Sequence, residues 1–150
     1  MIVVQAQNLG RLDVQLLEYE AAEADSLPRD LGDLSATDAF NDHITHSYLW
    51  VLGTYELIRT LDQRVREHSV FAGEICERIG DVKRRFARIR VPLAKHEPAR
   101  GYDETDQGFP WPAYSEAHGI GWRVAEDTVV GRKDLADLFL ELLESIPETL

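Results

Sequence analysis

The segment from Ser35 to His68 reads SATDAFNDHITHSYLWVLGTYELIRTLDQRVREH, and the rest of the chain is predicted to pack around it. Its apolar residues recur at steps of three or four, which places them on one side of a helix with about 3.6 residues per turn. They are Phe40, Ile44, Tyr48, Val51, Tyr55, Ile58, Leu61 and Val65. Leu49, Trp50, Leu52 and Leu57 add apolar surface on other sides. The segment is therefore predicted to form a long central helix that is enclosed by several neighbours.

A second apolar seam begins at Val70 and runs to about Ile89. It contains Phe71, Ile75, Ile79, Val82, Phe86, Ile89 and Leu93. Because only a few residues around Ser69 separate the two helices, they should pack antiparallel, as the core hairpin at about 35–96. Pro92 lacks a backbone N–H and disfavours helical angles at Val91, so a kink or break is expected at Arg90 to Pro92.

The remaining elements are shorter. A first helix that ends near Asp25 is predicted from the helical spacing of Leu9, Leu12, Leu16 and Tyr19. Its solvent side should carry Glu18, Glu20 and Glu23. The apolar run from Ile2 to Val4 could begin this helix or form an edge strand. Gly53 in mid-helix predicts that another helix crosses there. Ile120 to Val124 and Thr128 to Val130 predict a β-hairpin turning at Glu126 and Asp127. A final helix that stops at Pro147 is predicted from the spacing of Leu135, Leu138, Phe139, Leu142, Leu143 and Ile146.

These elements predict one mainly α domain over residues 1–150, an antiparallel bundle of three or four helices with a small appended β-hairpin. The loop and hairpin occupy 97–131, and the C-terminal helix occupies 132–147. Prolines, glycines and aromatic residues are frequent in 97–121, where a long irregular segment is typical of a functional or mobile loop. Trp50 and Trp122 are expected in the core.

Composition limits the class of function. A net charge of −11 argues against a simple nucleic-acid binder, because phosphate contacts provide most of that affinity. Cys76 is the single cysteine, which excludes an intrachain disulfide and is typical of a buried thiol in a reducing compartment. No apolar run is long enough to span a bilayer, and the first residues lack the pattern of a signal peptide. A cytoplasmic location without membrane contact is therefore expected.

Eight of the sixteen bases lie between Arg78 and Arg100. They are Arg78, Lys83, Arg84, Arg85, Arg88, Arg90, Lys95 and Arg100, and the acids between them are Asp81 and Glu97. A charge run of this kind is most often a solvated helix face that pairs with acidic neighbours. The alternative is a docking face for RNA or a protein partner, with Arg84, Arg85, Arg88 and Lys95 as its binding residues.

Arg90 and His96 lie at the end of the second core helix with five residues between them. Here the sequence resembles the HEPN superfamily, whose helical bundles carry an Arg-x(4 to 6)-His motif and whose active members are metal-independent ribonucleases of defence or toxin systems. The resemblance covers about residues 35–97 and implies a homodimer with Arg90 and His96 of both chains in one cleft. Arginine can hold a phosphate, and histidine can move a proton near neutral pH. The apolar character of the central helix also favours a homodimer.

Other candidates are weaker. His43 and His46 share one helix face, with Asp38 or Asp42 nearby, and would suit a metal, but no Glu-x-x-His or His-Glu-x-x-His pattern completes the set. Gly119-Ile120-Gly121 has the wrong order for a dinucleotide loop, and no cofactor is predicted. Trp111, between Pro110 and Pro112, could anchor a partner or fold over the core as a lid.

Two functions remain open, followed by a third. The first is a dimeric, HEPN-like helical module that binds a protein or nucleotide through the 78–100 face and the Trp111 loop. The second is a HEPN-type ribonuclease that uses Arg90 and His96. The third is a metal-dependent enzyme at His43 and His46.

Overall fold

The computed structural model describes residues 2–22, 38–68, 73–115 and 118–146. Within these ranges it contains four helices, α1 (Ile2–Ala22), α2 (Asp38–His68), α3 (Gly73–Lys95) and α4 (Arg132–Ser145), and three strands, β1 (Trp111–Ser115), β2 (Gly119–Ala125) and β3 (Thr128–Gly131). The predicted mainly α fold is confirmed. Four predicted features lie outside the described residues: the end of the first helix near Asp25, the helix start at Ser35, the turn near Ser69 with Val70 and Phe71, and the stop at Pro147. None of the described helices combines the length and apolar character needed to cross a bilayer.

The central helix α2 packs against α1, α3 and α4. Trp50 is 1% exposed and Phe86 of α3 is fully buried, with their ring centroids 5.9 Å apart. Phe139 of α4 continues the contact, at 6.5 Å from the Phe86 ring. Trp122 of β2 is also 1% exposed, so both tryptophans predicted for the core are confirmed there. Neighbours within this one chain therefore cover most of the apolar surface of α2.

Helix α1 crosses α2 at Gly53, as predicted. A Cβ atom at position 53 would lie 3.1 Å from Leu9 Cδ2, so glycine allows the close approach of the two helices. The indole N–H of Trp50 donates to the backbone oxygen of Leu9 at 3.1 Å, which fixes the crossing. The apolar start at Ile2, which could not be assigned from its periodicity, belongs to this helix.

The expectation at Arg90 to Pro92 was a kink or a break. The break is wrong, because α3 continues without interruption to Lys95, and the kink stays a prediction. Proline there removes one helical hydrogen bond. Its ring is buried, and this packing offsets the single lost bond near the end of the helix. His96 ends α3 with a left-handed φ of 59°, and its N–H donates to Pro92 O at 3.0 Å.

The sheet has the order β1-β2-β3 and is antiparallel. The hairpin predicted from Ile120 to Val130 is confirmed as β2 and β3, which pack against α4. Strand β1 was not predicted. Its Pro112 is tolerated because β1 is an edge strand, where one side of the backbone needs no ladder partner. Trp111 therefore begins an edge strand and is 58% exposed, so it does not close over the core.

We expect Ile79→Asp to unfold the protein, because Ile79 is 1% exposed in the core cluster to which α2 and α3 both contribute. An unpaired buried charge costs several kcal/mol, which is comparable with the whole stability of a domain, about 5–15 kcal/mol. Far-UV circular dichroism and urea unfolding test this, with Arg85→Asp on the exposed side of α3 as the control. A soluble Ile79→Asp variant with wild-type helicity would show that this helix pairing is wrong.

Candidate functional site

An open, largely apolar cleft of about 700 Å³ lies where α2, the end of α3 and the sheet meet. Its aromatic lining residues are Phe40, Tyr48, Phe109, Trp111 and Trp122. Its polar and charged lining residues are Asn41, Thr45, His96 and Arg123. Ile44, Leu93 and three prolines complete the walls. The cleft thus combines a wide apolar surface with a few polar groups.

The wall on α2 follows from helical spacing. Asn41, Ile44, Thr45 and Tyr48 recur at steps of three and four, so one face of the N-terminal half of the helix presents them together. Ile44 also packs beside Phe40, which is 5% exposed and contacts Ile120 of β2 in a small second core. This second core joins the N-terminal half of α2 to the sheet and forms the floor of the cleft.

The opposite wall is fastened by an ion pair between α3 and the loop that follows it. Arg88 donates to both carboxylate oxygens of Asp106, at 2.6 and 2.8 Å. The Asp106 side chain is only 1% exposed, and the hydrogen bonds from Arg88 lower its pKa. The same bonds raise the pKa of Arg88, whose guanidinium also lies 4.4 Å from the centre of the Tyr102 ring. The loop is therefore held against α3 by a buried, bidentate pair.

Two backbone contacts complete the fastening of this loop. Gln107 N–H donates to Val124 O at 2.6 Å, which ties the loop to β2. A Cβ atom at position 108 would lie 2.9 Å from His96 O, so Gly108 lets the loop pass directly against the end of α3. The chain then enters β1 with Phe109 and Trp111 beside the cleft.

Three rings form a continuous row along the rim of the cleft. The His96 and Phe109 ring centroids are 5.3 Å apart, and those of Phe109 and Trp111 are 5.7 Å apart in an edge-to-face arrangement. Phe109 is 54% exposed and Trp111 is 58% exposed. In the strand register Trp111 lies directly opposite Arg123. The rim therefore presents aromatic surface to solvent, with Arg123 next to it.

Arg90 and His96 have separate surroundings in the chain. Arg90 lies over the Tyr55 ring, at 5.2 Å from its centre, and 3.5 Å from a carboxylate oxygen of Glu56 on α2. Its Nε is buried without a hydrogen-bond partner among the described residues. His96 instead lies against Phe109 in the cleft. Their joint use as a ribonuclease site across two chains stays a prediction.

Most of the basic residues of 78–100 pair with carboxylates. Arg78 binds Glu141, Lys83 binds Asp62, Arg84 binds Asp81, Arg88 binds Asp106, Arg90 binds Glu56 and Lys95 binds Glu97. Asp62 also pairs with Arg66 at 2.9 Å. Glu56 also pairs with Arg59, at 2.7 Å, and this pair is exposed. Arg85 lines a second, polar cleft of about 510 Å³ with Arg84 and Arg88.

His43 belongs to a buried polar network. Its Nε2 lies 3.0 Å from Glu20 Oε1, and its ring stacks on Tyr19 with centroids 4.5 Å apart. Among the residues that the structure describes, no group of three His, Cys, Asp or Glu side chains could hold a metal ion. His43 is therefore engaged by α1, which leaves the metal site predicted at His43 and His46 without support in these ranges.

The centre of this network is Arg132, which no sequence pattern singled out. Its side chain is fully buried at the start of α4 and pairs with Asp13 and Glu20 of α1. Burial raises the pKa of Asp13 despite the arginine. Burial acts to raise the pKa of Glu20 as well, but the hydrogen bond from His43 and the charge of Arg132 lower it overall. Glu20, with its side chain 11% exposed, is thus a structural residue and not part of the solvent side predicted for α1.

Comparison of the chain with protein-family models, with curated proteins and with solved structures finds no match. The site is therefore interpreted from its own geometry.

We expect Asp106→Asn to lower the free energy of unfolding by about 2 kcal/mol at neutral pH, because the amide loses a charged hydrogen-bond pair with Arg88. The pKa of Asp106 is lowered in the folded chain from an ordinary 3.8. The difference in the free energy of unfolding between wild type and variant should therefore be complete above the ordinary pKa. It should disappear as the pH falls through the lowered pKa of Asp106. Urea unfolding at several pH values measures it. Glu104→Gln, on the same loop and exposed, is the control, and an equal loss in both variants would refute the role of the pair.

Proposed function

We propose that this chain is a binding module that holds a small, largely apolar molecule in the cleft between α2, the end of α3 and the sheet. The observation that supports the proposal is the pairing of a volume of about 700 Å³ with a lining of five aromatic residues. Small-molecule sites in proteins are concave and mostly apolar, with volumes of about 300–1,000 Å³ and a few polar groups that orient the ligand. The proposal keeps the binding role of the first predicted function, but its ligand is a small molecule in this cleft instead of a protein or nucleotide on the 78–100 face.

The exposure of the rim supports the same proposal. Phe109 and Trp111 each keep more than half of their surface in water, although aromatic side chains gain free energy when that surface is covered. Both are held by a loop with buried anchors, so little conformational freedom is lost when a ligand covers them. For Trp111 the sequence left open an anchor for a partner or a lid over the core, and the proposal takes up the anchor. A rigid, uncovered aromatic rim is a favourable binding surface.

Binding accounts for the cleft better than catalysis does. A general acid or base needs a partner that orients it and tunes its pKa. Within the described residues the cleft is lined by no carboxylate and no cysteine, and the ring of His96 contacts Phe109. The side chains around His96 therefore support recognition of an apolar ligand more than transfer of a proton.

Self-association belongs to the same proposal. The apolar residues of α2 that favoured a homodimer are mostly buried within one chain, but Leu49 is 51% exposed. A dimer interface on α2 would therefore centre on Leu49. Light scattering after size-exclusion chromatography would measure a doubled mass for the wild type and a monomer mass for Leu49→Asp. A monomeric wild type would refute the dimer and leave the cleft proposal unchanged.

We expect the neutral fluorophore N-phenyl-1-naphthylamine to bind the wild type saturably and Thr45→Trp at least about tenfold more weakly, because the new ring fills the cleft from α2. Gln63→Trp adds the same ring at an exposed position further along α2 and should bind like the wild type. Fluorescence titration measures both affinities, with circular dichroism as the check on folding. Equal binding by Thr45→Trp and wild type, or no binding by folded wild type, would overturn the proposal.

A further inference from the structure

The charge of the cleft points to the chemical class of its ligand. We propose that the cleft selects an aromatic molecule that carries a negative charge, with Arg123 as the residue that meets the charge. This inference rests on the proposed function, since it concerns the same cleft. It adds a ligand class and a specificity residue to what the shape of the site supports.

The first argument is the distribution of charge. The chain has 27 acidic residues against 16 bases, yet no Asp or Glu is among the described residues that line the cleft. Arg123 is the charged residue among them. An anionic ligand would therefore meet no carboxylate of the described lining, whereas a cationic ligand would meet an uncompensated like charge. The charges of the lining favour an anion despite the acidic character of the whole chain.

The second argument is the state of Arg123 itself. Arg84, Arg88 and Arg90 of α3 each pair with a carboxylate. Arg123 makes no ion pair or side-chain hydrogen bond within residues 2–22, 38–68, 73–115 and 118–146. Its guanidinium thus offers its donors to a ligand, and a carboxylate or similar planar anion fits that group in a bidentate manner.

The third argument is the position of Arg123 beside the ring row. Its Cα pairs with that of Trp111 across the two strands, so both side chains lie on the same side of the sheet. Directly opposed residues have Cβ atoms about 4.5–5.5 Å apart, which is within the length of an arginine side chain. An aromatic ring that lies against Phe109 and Trp111 therefore brings an acidic substituent within reach of Arg123.

The other end of the row is fixed by the backbone of His96. Its left-handed φ of 59° is uncommon for a residue other than glycine, and such conformations persist where the surroundings enforce them. The bond from its N–H to Pro92 O and the close passage of Gly108 provide that enforcement. The His96 ring therefore has a fixed place at one end of the ring row, and Arg123 lies at the other end.

Three probes of equal ring size test the charge preference. They are naphthalene-2-carboxylate, naphthalene-2-carboxamide and naphthalen-2-ylmethylammonium. At neutral pH we expect the carboxylate to bind about tenfold more tightly than the carboxamide, and the ammonium to bind most weakly. Isothermal titration calorimetry on the full chain measures the three affinities.

Variants of Arg123 assign the preference to this residue. Arg123→Gln should bring the carboxylate to the affinity of the carboxamide and leave the carboxamide unchanged. Arg123→Lys keeps the charge but loses the planar pair of donors, and should retain part of the preference. The control is Arg64→Gln, which removes an exposed arginine of α2 outside the lining of the cleft and should bind all three probes like the wild type.

Each outcome has a separate meaning. Equal binding of carboxylate and carboxamide, or tightest binding of the ammonium, overturns the charge inference and leaves the proposed function standing. If Arg123→Gln still binds the carboxylate more tightly than the carboxamide, another group interacts with the charge, and the assignment to Arg123 is overturned. Failure of the folded wild type to bind any of the three probes, together with the neutral fluorophore, overturns both proposals.

Discussion

The ion pair of Arg88 with Asp106 is the constraint on which the candidate site depends. A carboxylate that is almost fully removed from water would be strongly destabilising without compensation, and here two hydrogen bonds from one guanidinium provide it. The pair joins the middle of α3 to a loop that has no regular secondary structure of its own. Phe109, Pro110 and Trp111 follow directly from that loop. The pair therefore fixes the position of this wall of the cleft relative to α3.

The location of the cleft follows from the central helix. Since α2 is apolar on most of its sides, its middle and C-terminal half must be covered, and α1, α3 and α4 cover them. Its N-terminal half extends past the end of α3, where the sheet takes over as the neighbour. The sheet is small and packs against α4, and a gap remains between it and α2. This gap is the cleft, which is lined by apolar residues of α2 and by aromatic residues of β1 and β2.

Local periodicity was sufficient to predict much of the fold. The seams of α2, α3 and α4 and the hairpin of β2 and β3 each depend on residues within one short window, and all are present. The helix crossing at Gly53 was predicted correctly, because a glycine inside a helix is itself a sign that another backbone passes close to it. Strand β1 was missed because two prolines in four residues are typical of a turn, and only its edge position makes them acceptable. Pro92 was misjudged for a related reason, since burial of its ring could not be known.

The candidate site was harder to predict from the sequence than the fold was. Trp111 and His96 were both singled out, but for different functions, because nothing local shows that Phe109 connects them. The basic run was correctly expected to pair with acids, yet the partner of Arg88 lies eighteen residues away in a loop. Arg123 and Arg132 have similar sequence settings, but one is exposed at the cleft and the other is buried with Asp13 and Glu20. Such differences depend on tertiary contacts and have no sequence period.

The most direct measurement of the central claim uses the three tryptophans as reporters. Trp111 and Trp122 line the cleft, Trp122 as a core residue at its base, whereas Trp50 is a core residue outside the lining, with its indole N–H bonded to Leu9 O. In a ¹⁵N NMR titration with naphthalene-2-carboxylate, the account predicts that the indole signals of Trp111 and Trp122 shift in a saturable way and that of Trp50 stays in place. Shifts confined to Trp50, or no shift of Trp111 and Trp122 at saturating ligand, would contradict it.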